Sequence, residues 1–163
     1  KTAFNPKDIY QETKLLAEKR VLAYFRSSKI PATVIRPISI IGPGDFRMLK
    51  LFRMIKKRWF VVVGNGKALF QPAYIDDVVQ GFICCLNNGK AIGESFIIGG
   101  GEYLPLNDLF RIIAKELNVP APKIKVPLMP VLCLAVLCEK IWSAIGLEPP
   151  LHKRRVSFFY NNI

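Results

Sequence analysis

The chain has 163 residues, a formal net charge of +12 and 51% hydrophobic residues. This apolar content excludes an intrinsically disordered protein, because such chains have too few apolar residues to form a core. The four cysteines lie at positions 84, 85, 133 and 138, without C-x-x-C spacing and without a neighbouring histidine. We therefore predict no metal site, and we expect buried, reduced thiols in a cytoplasmic protein.

The first predicted element is an amphipathic helix. Asn5 is the expected N-cap, Pro6 suits the first helical position, and Asp8 complements the positive end of the helix dipole. The Ser27-Ser28 pair marks the end of the helix. The apolar residues that recur along it, with charged residues between them, are Leu15, Leu16, Val21, Leu22 and Phe25.

Tyr10 and Lys14 are one helical turn apart, so their side chains leave the same face of this helix. A free tyrosine has a pKa near 10, and deprotonating it at neutral pH costs about 4 kcal/mol. An ammonium about 4 Å away, at an effective dielectric constant of about 20, supplies roughly that amount. Such a tyrosine can exchange a proton with a substrate hydroxyl or ketone while a hydride moves elsewhere. The alternative is two ordinary surface residues, since every helix contains many pairs at this spacing.

A β-branched segment from Ala32 to Pro37 follows the helix and predicts a strand. A continuous apolar strand after a helix is typical of a parallel sheet that is covered on both faces. The elements predicted further along are a hairpin-like pair at 61–63 and 68–70 around the turn Gly64-Asn65-Gly66, a helix from Asp76 or Asp77 to Leu86, a strand at Ser95 to Ile98, and a helix with the apolar face Leu109, Ile112, Ile113, Ala114 and Leu117.

A second helix, predicted between Phe46 and Trp59, carries a stripe of basic residues. The stripe consists of Arg47, Lys50, Arg53 and Lys57. Three interpretations stay open: a solvated face, a site for an anionic substrate such as a nucleotide diphosphate, or a surface for nucleic acid or an anionic membrane. No recognised nucleic-acid motif accompanies the stripe, so we expect no nucleic-acid partner.

The segment from Val126 to Cys138 is uncharged and strongly apolar. It is shorter than the roughly 18 apolar residues expected of a membrane span. The pattern favours a buried helix or the wall of an apolar pocket. The alternative is a helix at a membrane interface, flanked by Lys123, Lys125 and Lys140.

Five motifs occur in a fixed order along the chain: Tyr10-x-x-x-Lys14, Ala17-Glu18, Ile35-Arg36-Pro37, Gly42-Pro43-Gly44-Asp45 and Tyr74-Ile75-Asp76-Asp77-Val78. This order resembles the extended short-chain dehydrogenase/reductases, also called the NAD-dependent epimerase/dehydratase family. The resemblance implies an α/β fold, here an incomplete doubly wound, Rossmann-type parallel sheet with a smaller α+β substrate lobe. We assign residues 1–45 to the Rossmann-type part and residues 46–163 mainly to the lobe, with about 73–98 returning to the sheet.

The same resemblance implies roles for individual residues. Tyr10 would be the catalytic acid/base, and Lys14 would bind the nicotinamide ribose and favour the phenolate. Pro37 and Ile38 would line the nicotinamide pocket of a bound NAD or NADP. Asp77 would be a helix N-cap. The family's glycine-rich turn and its catalytic serine or threonine would precede Lys1, so the resemblance indicates a fragment of a longer oxidoreductase or epimerase.

The substrate class stays open at the sequence level. Sugar-nucleotide enzymes of the family commonly have an asparagine at the position of Ser39 and a diphosphate-binding arginine at that of Phe70. Arginine and phenylalanine are not interchangeable at a phosphate site, because only arginine donates two parallel hydrogen bonds. We take Ser39, Phe70 and the stripe residue Arg47 as candidate substrate contacts.

Three functions are therefore retained. The first is an epimerase or dehydratase acting on a sugar nucleotide or a related small molecule. The second is an enzyme similar to the 3β-hydroxysteroid dehydrogenases, whose substrates are apolar. The third is a non-catalytic remnant or basic binding module. A homodimer is left open, and a peripheral membrane contact is left open but not favoured.

Overall fold

The computed structural model describes residue 6, residues 9–28 and residues 30–162. The elements in chain order are α1 (Ile9–Ser28), β1 (Val34–Pro37), β2 (Ser39–Ile41), α2 (Phe46–Lys56), β3 (Val62–Val63), β4 (Leu69–Phe70), β5 (Pro72–Tyr74), α3 (Ile75–Leu86), a 3₁₀ helix (Gly89–Ala91), β6 (Ser95–Ile98), β7 (Leu104–Pro105), α4 (Leu106–Glu116), β8 (Lys125–Val126), α5 (Leu128–Ala144) and α6 (Lys153–Ser157). The predicted N-cap Asn5 and the carboxylate of Asp8 lie outside the described residues.

The chain divides into two compact units. The first comprises the described residues of Lys1–Ile38 together with Ile75–Gly99, and the second comprises Ser39–Tyr74 together with Gly100–Ile163 as far as residue 162. Of residues 73–98, which we expected to return to the sheet, 75–98 form α3, the 3₁₀ helix and β6 of the first unit, whereas 73–74 belong to β5 of the second unit. The functional division at residue 45 stays a prediction.

In the first unit, β1 pairs with β6 in parallel, from Val34 opposite Ser95 to Pro37 opposite Ile98. This pairing confirms the predicted α/β class with parallel strands. Gly93, between α3 and β6, has a φ of +82°, which favours glycine. A side chain at this position would also collide with the ring of Phe25, so α1 packs directly against the turn before β6.

The second unit contains a well-formed core. Phe60 and Phe110 meet edge to face with ring centroids 4.7 Å apart, and Phe70 and Phe158 do so at 5.7 Å. The buried residues that complete this core include Ile55, Val62, Leu106, Leu109, Ile113 and Ala114. Three strand pairs border it: β2 with β5 in parallel, β3 with β8 in parallel, and β4 with β7 antiparallel.

The predicted hairpin between residues 61 and 70 is wrong. β3 and β4 each pair with a strand from much later in the chain, and not with each other. The turn between them is held by α4 instead, because Asn107 donates its backbone N–H to the carbonyl of Gly66 at 3.0 Å and its Nδ2 to that of Asn65 at 2.9 Å. A local pattern cannot reveal partners so distant in sequence.

Three smaller predictions are also corrected. Ile112 is 49% exposed and does not belong to the buried face of α4. Asp77 lies inside the first turn of α3, which begins at Ile75, so it is not the residue that precedes the helix. The four cysteines are free, but Cys84 and Cys133 are exposed and the other two are half-buried.

Residues 126–138 do not form a buried helix, which was one of the two alternatives that the pattern favoured. They belong mostly to α5, in which Ala135 is the buried residue, whereas Leu134 is 53% and Leu137 is 54% exposed. Its composition is apolar around the whole circumference, so the sequence did not indicate which side would face the protein. In the described part of the chain, no helix is long and apolar enough to cross a membrane.

The two units differ in how much apolar surface they bury. Among the described residues, the first unit fully buries Val78 and Ala91, whereas the core of the second unit contains large side chains such as Phe110. The first unit instead exposes Leu86 (84%) and Ile97 (70%). A two-stranded sheet with so little burial is marginal by itself.

We therefore expect residues 1–163, produced without further chain, to be poorly soluble and to bind a hydrophobic dye such as ANS, because the first unit leaves its apolar side chains in water. The measurement is ANS fluorescence together with thermal unfolding by circular dichroism. The longer protein serves as the control and should bind less dye per molecule. A soluble monomer of residues 1–163 with one sharp cooperative transition and no dye binding would contradict this expectation.

Candidate functional site

The structure brings Tyr10 and Lys14 together on α1. The Nζ of Lys14 lies 5.6 Å from the centroid of the Tyr10 ring, within the range of a cation–π contact. Both side chains are exposed, and Tyr10 retains 58% of its accessible surface. Helical spacing explains the geometry, since side chains four residues apart lie one above the other. The pair is thus open to a ligand from solvent.

An ion pair between Glu18 and Arg36 connects α1 to β1. The Nε of Arg36 donates to Oε2 of Glu18 at 2.7 Å, and its Nη2 donates to Oε1, so the contact is bidentate. The glutamate side chain is only 12% exposed. Glu18 lies one turn after Lys14, on the face of α1 that carries Tyr10. The ion pair therefore sets the orientation of that face relative to the strand.

Electrostatics reinforce this connection. The hydrogen bonds from Arg36 lower the pKa of Glu18, although partial burial opposes the shift. The same hydrogen bonds raise the pKa of Arg36. Both groups are therefore charged at neutral pH. Both residues belong to motifs noted in the sequence. Glu18 is one of two acidic residues of α1, and Arg36 is the arginine of an otherwise apolar strand, but neither feature identified the other residue as its partner.

Pro37 and Ile38 lie at the carboxyl end of β1. Pro37 is exposed and pairs with Ile98, and the half-buried Ile38 donates its backbone N–H to the carbonyl of Ile98 at 3.0 Å. In open parallel sheets, ligands bind beyond the carboxyl ends of the strands. The position of both residues therefore suits a cofactor pocket in the first unit.

The other three candidate residues belong to the second unit, where they lie in different environments. Ser39 is half-buried at the start of β2, opposite Pro72. The side chain of Arg47 is 83% exposed, with its Nε 3.2 Å from Oδ1 of Asp45. Phe70 is 4% exposed and packs in the core. The structure does not gather these three side chains into one constellation, and their part in substrate binding stays a prediction.

Asp45, in the loop before α2, is the N-cap of that helix. Oδ1 of Asp45 accepts hydrogen bonds from the backbone N–H groups of Arg47 at 3.0 Å and Met48 at 3.4 Å. Burial raises the pKa of Asp45, but the hydrogen bonds from Arg47 and Met48 outweigh burial and leave the pKa below its usual value. An ionised carboxylate at a helix N-terminus is favourable, so Asp45 holds the loop against α2.

This loop and α2 line a cavity of about 560 Å³ in the second unit. A volume of this size is typical of a small-molecule site. Its walls include Met48, Leu49 and Phe52, whereas Arg53 and Lys56 supply two positive charges. The arrangement suits a mainly apolar ligand, with cations available for an anionic group.

Replacing Glu18 by Gln should lower the free energy of unfolding of the intact protein by about 1–3 kcal/mol at neutral pH, because it removes the charged acceptor of two hydrogen bonds. Since the folded-state pKa of Glu18 is lowered, this stabilisation is present above the ordinary glutamate pKa of about 4.3 and is lost as the pH falls through the folded-state value. Urea unfolding of both proteins between about pH 3 and 7 measures the difference.

The matched control is Asp108→Asn. Asp108 pairs with Arg111 at 2.9 Å, but their side chains are 43% and 71% exposed. Removing an exposed pair of this kind costs about 0–1 kcal/mol. Equal effects of the two substitutions, or an effect of Glu18→Gln that does not change with pH, would contradict the role given to the ion pair.

Residues 1–99 match the profile of the NAD dependent epimerase/dehydratase family. The chain is 33% identical over 132 residues to the sterol-4-alpha-carboxylate 3-dehydrogenase, decarboxylating, of Bos taurus, covering 77% of this chain and 37% of that protein. It is 28% identical over 150 residues to a 3 beta-hydroxysteroid dehydrogenase/Delta 5-->4-isomerase of Mycobacterium tuberculosis, covering 88% and 40%.

A solved structure agrees with the fold. The crystal structure of UDP-glucuronic acid 4-epimerase from Bacillus cereus in complex with NAD is similar with a TM-score of 0.66 and 26% identity, covering 77% of this chain and 42% of that one. The chain thus spans about two fifths of the length of the relatives that it matches.

Proposed function

The chain belongs to the NAD dependent epimerase/dehydratase family, and we propose that the protein containing it is an NAD(P)-dependent oxidoreductase in which Tyr10 is the acid/base. The observation that carries this proposal is the position of the Lys14 ammonium, 5.6 Å from the Tyr10 ring centroid on an exposed helix face. A cation on the same helix face as a phenol can stabilise the negative charge that develops when the phenol hydroxyl exchanges a proton with a substrate alcohol.

The described residues fit a nicotinamide cofactor. Lys14 and Tyr10 supply exposed hydrogen-bond donors for the ribose hydroxyls, and Pro37 and Ile38 supply an apolar surface at a strand end for the ring. The bound cofactor supplies the hydride acceptor or donor. In oxidation, the deprotonated phenol oxygen of Tyr10 accepts the proton of the substrate hydroxyl. In reduction, the Tyr10 hydroxyl returns a proton to the carbonyl oxygen. In both directions, the ammonium group of Lys14 stabilises the negative charge on the phenol oxygen of Tyr10.

We further propose that the substrate is a secondary alcohol on an apolar skeleton of the hydroxysteroid type. The relatives named above act on sterols or 3β-hydroxysteroids by name. The residue at the expected diphosphate-binding position, Phe70, is buried in the core and offers no hydrogen bond. The cavity beside α2 has apolar walls, which suit such a skeleton.

A sugar nucleotide is the second candidate. It is supported by the likeness to the UDP-glucuronic acid 4-epimerase structure and by Arg53 and Lys56 at the cavity. Two cations at one cavity can bind a diphosphate, although lysine does so as a point charge. A small-molecule substrate and a nucleotide cofactor are consistent with the family, whereas a homodimer and a cytoplasmic location stay predictions.

Replacing Tyr10 by Phe in the complete protein should lower kcat by at least about a hundredfold, because general acid/base groups contribute about 10²–10⁴ in rate. Substrate affinity should change little, since the ring is retained. The measurement is cofactor reduction under saturating substrate. Tyr24→Phe is the control, because Tyr24 is on the same helix and similarly exposed at 65%. A rate for Tyr10→Phe near that of the unmodified protein would show that the assignment is wrong, and would favour a non-catalytic module.

The substrate class is tested by assaying the complete protein with a 3β-hydroxysteroid and, separately, with a UDP-sugar, each with NAD and with NADP. We expect oxidation of the steroid and no reaction of the UDP-sugar, because the second unit lacks an arginine at residue 70. Lys56→Gln, which removes one cavity cation, should leave steroid oxidation nearly unchanged. Turnover of the UDP-sugar that is lost in Lys56→Gln would instead establish the second candidate.

A further inference from the structure

One stripe of α1 faces the rest of the first unit. The residues of this stripe are half-buried and recur at helical spacing: Leu15, Glu18, Leu22 and Phe25. Phe25 lies against the turn before β6, where a side chain at Gly93 would collide with its ring. Glu18 is the charged member of the stripe, and it is bound to Arg36 of β1. The helix is therefore held by a few apolar side chains and by one ion pair.

Tyr10 and Lys14 belong to the part of α1 that precedes this stripe. Every residue from Ile9 to Lys14 is exposed, so the position of this segment depends on how the following turns of the helix are held. Tyr10 is eight residues before Glu18, which corresponds to about 12 Å along the helix axis. Over that length, a tilt of the helix by about 5° moves Tyr10 by about 1 Å. A small change at Glu18 is therefore enlarged at the phenol.

Arg36 brings the other end of the ion pair next to the expected nicotinamide pocket. Side chains two positions apart in a strand project to the same side, so Arg36 and Ile38 share the face of β1 on which α1 lies. The strand geometry continues to Ile38, because its backbone N–H donates to the carbonyl of Ile98 at 3.0 Å. Pro37 lies between these two residues and pairs with Ile98. One ion pair thus joins the helix of the phenol to the strand end that is expected to contact the cofactor.

We propose that Glu18 and Arg36 are positioning residues for the reaction, because their ion pair sets the distance between the Tyr10 hydroxyl and the nicotinamide pocket. This inference rests on the proposed function, in which Tyr10 is the acid/base. In oxidation, Tyr10 removes the proton from the alcohol oxygen while a hydride leaves the adjacent carbon for the cofactor, and the electron pair of the O–H bond completes the carbonyl. Both transfers involve one C–O group, so a displacement of about 1 Å costs on the order of a hundredfold in rate.

The chemistry of the pair suits this role. The Nε and Nη2 of Arg36 donate to the two carboxylate oxygens of Glu18, so the contact fixes both a separation and the relative orientation of two planar groups. The side chains are 32% and 12% exposed, so water competes only partly for these hydrogen bonds. A lysine in place of the arginine would keep the charge but could not form the same fork. The geometry of the pair, and not its charge alone, therefore determines the position of α1.

The test is the turnover by the complete protein of the 3β-hydroxysteroid or the UDP-sugar, whichever it accepts. Glu18→Gln should lower kcat at least about tenfold and change KM less than about threefold, because it displaces Tyr10 and replaces no residue of the cavity in the second unit. Arg36→Lys should also lower kcat, since the bidentate contact is lost. The exchanged pair, Glu18→Arg with Arg36→Glu, should be faster than either of its single substitutions. An unchanged kcat in Glu18→Gln would overturn the proposal.

A double substitution separates positioning from folding. In the Tyr10→Phe background, Glu18→Gln should lower the remaining rate less than about twofold, because a residue that acts through the Tyr10 hydroxyl then has nothing to position. The same loss with and without that hydroxyl would show a purely structural role and would overturn the proposal. Full activity of Tyr10→Phe would refute the proposed function itself. A loss in Tyr10→Phe without a loss in Glu18→Gln would refute only the positioning role.

The first unit offers two matched controls. Glu12→Gln makes the same chemical change on the same helix, at an exposed residue only two positions from Tyr10. Thr33→Val removes a different hydrogen bond of the unit, in which Oγ1 donates to the carbonyl of Ala91 at 2.7 Å. Both should leave kcat nearly unchanged, although Thr33→Val should lower the melting temperature, and circular dichroism checks that each variant is folded during the assay. A loss of kcat in either control equal to that in Glu18→Gln would overturn the proposal.

Discussion

The Glu18–Arg36 ion pair is the constraint on which the arrangement of the first unit depends. Helix α1 contributes no fully buried side chain among the residues described, so apolar packing holds it only loosely. A bidentate, partly buried ion pair has a defined geometry that loose apolar contact lacks. Because Tyr10, Lys14 and Glu18 share one face of α1, the contact that fixes Glu18 also fixes the orientation of Tyr10 and Lys14 relative to β1.

The two units differ in the side chains that they expose and in the extent of their cores. The first supplies charged and hydrogen-bonding groups at an exposed helix face and a strand end, and it buries little. The second supplies a core built on aromatic contacts, such as Phe60 with Phe110, and a cavity beside α2. The exposed polar groups and the well-packed core therefore lie in different parts of the chain. A substitution in the core of the second unit affects folding, whereas one at the exposed Tyr10 has little effect on packing.

Helix α5 illustrates why hydrophobicity alone does not assign a location. Its residues are as apolar as those of a core helix, yet only one half of its circumference is turned toward the protein. Two of its residues, Glu139 and Lys140, are charged, and Glu139 accepts a hydrogen bond from the backbone N–H of Lys153 at the start of α6.

Local patterns determined much of this protein. The helical spacing of Tyr10 and Lys14 required them to share a face, and strands β1 and β6 formed where β-branched and apolar residues predicted them, because these features depend on neighbours within a few residues. Tertiary structure decided the rest. The partners of β3 and β4 come from residues 104–126, the Arg36 side chain meets a glutamate 18 positions earlier, and one half of α5 remains outside the core. Each of these depends on which distant surfaces the folded chain brings together, and that information is not contained in any short segment.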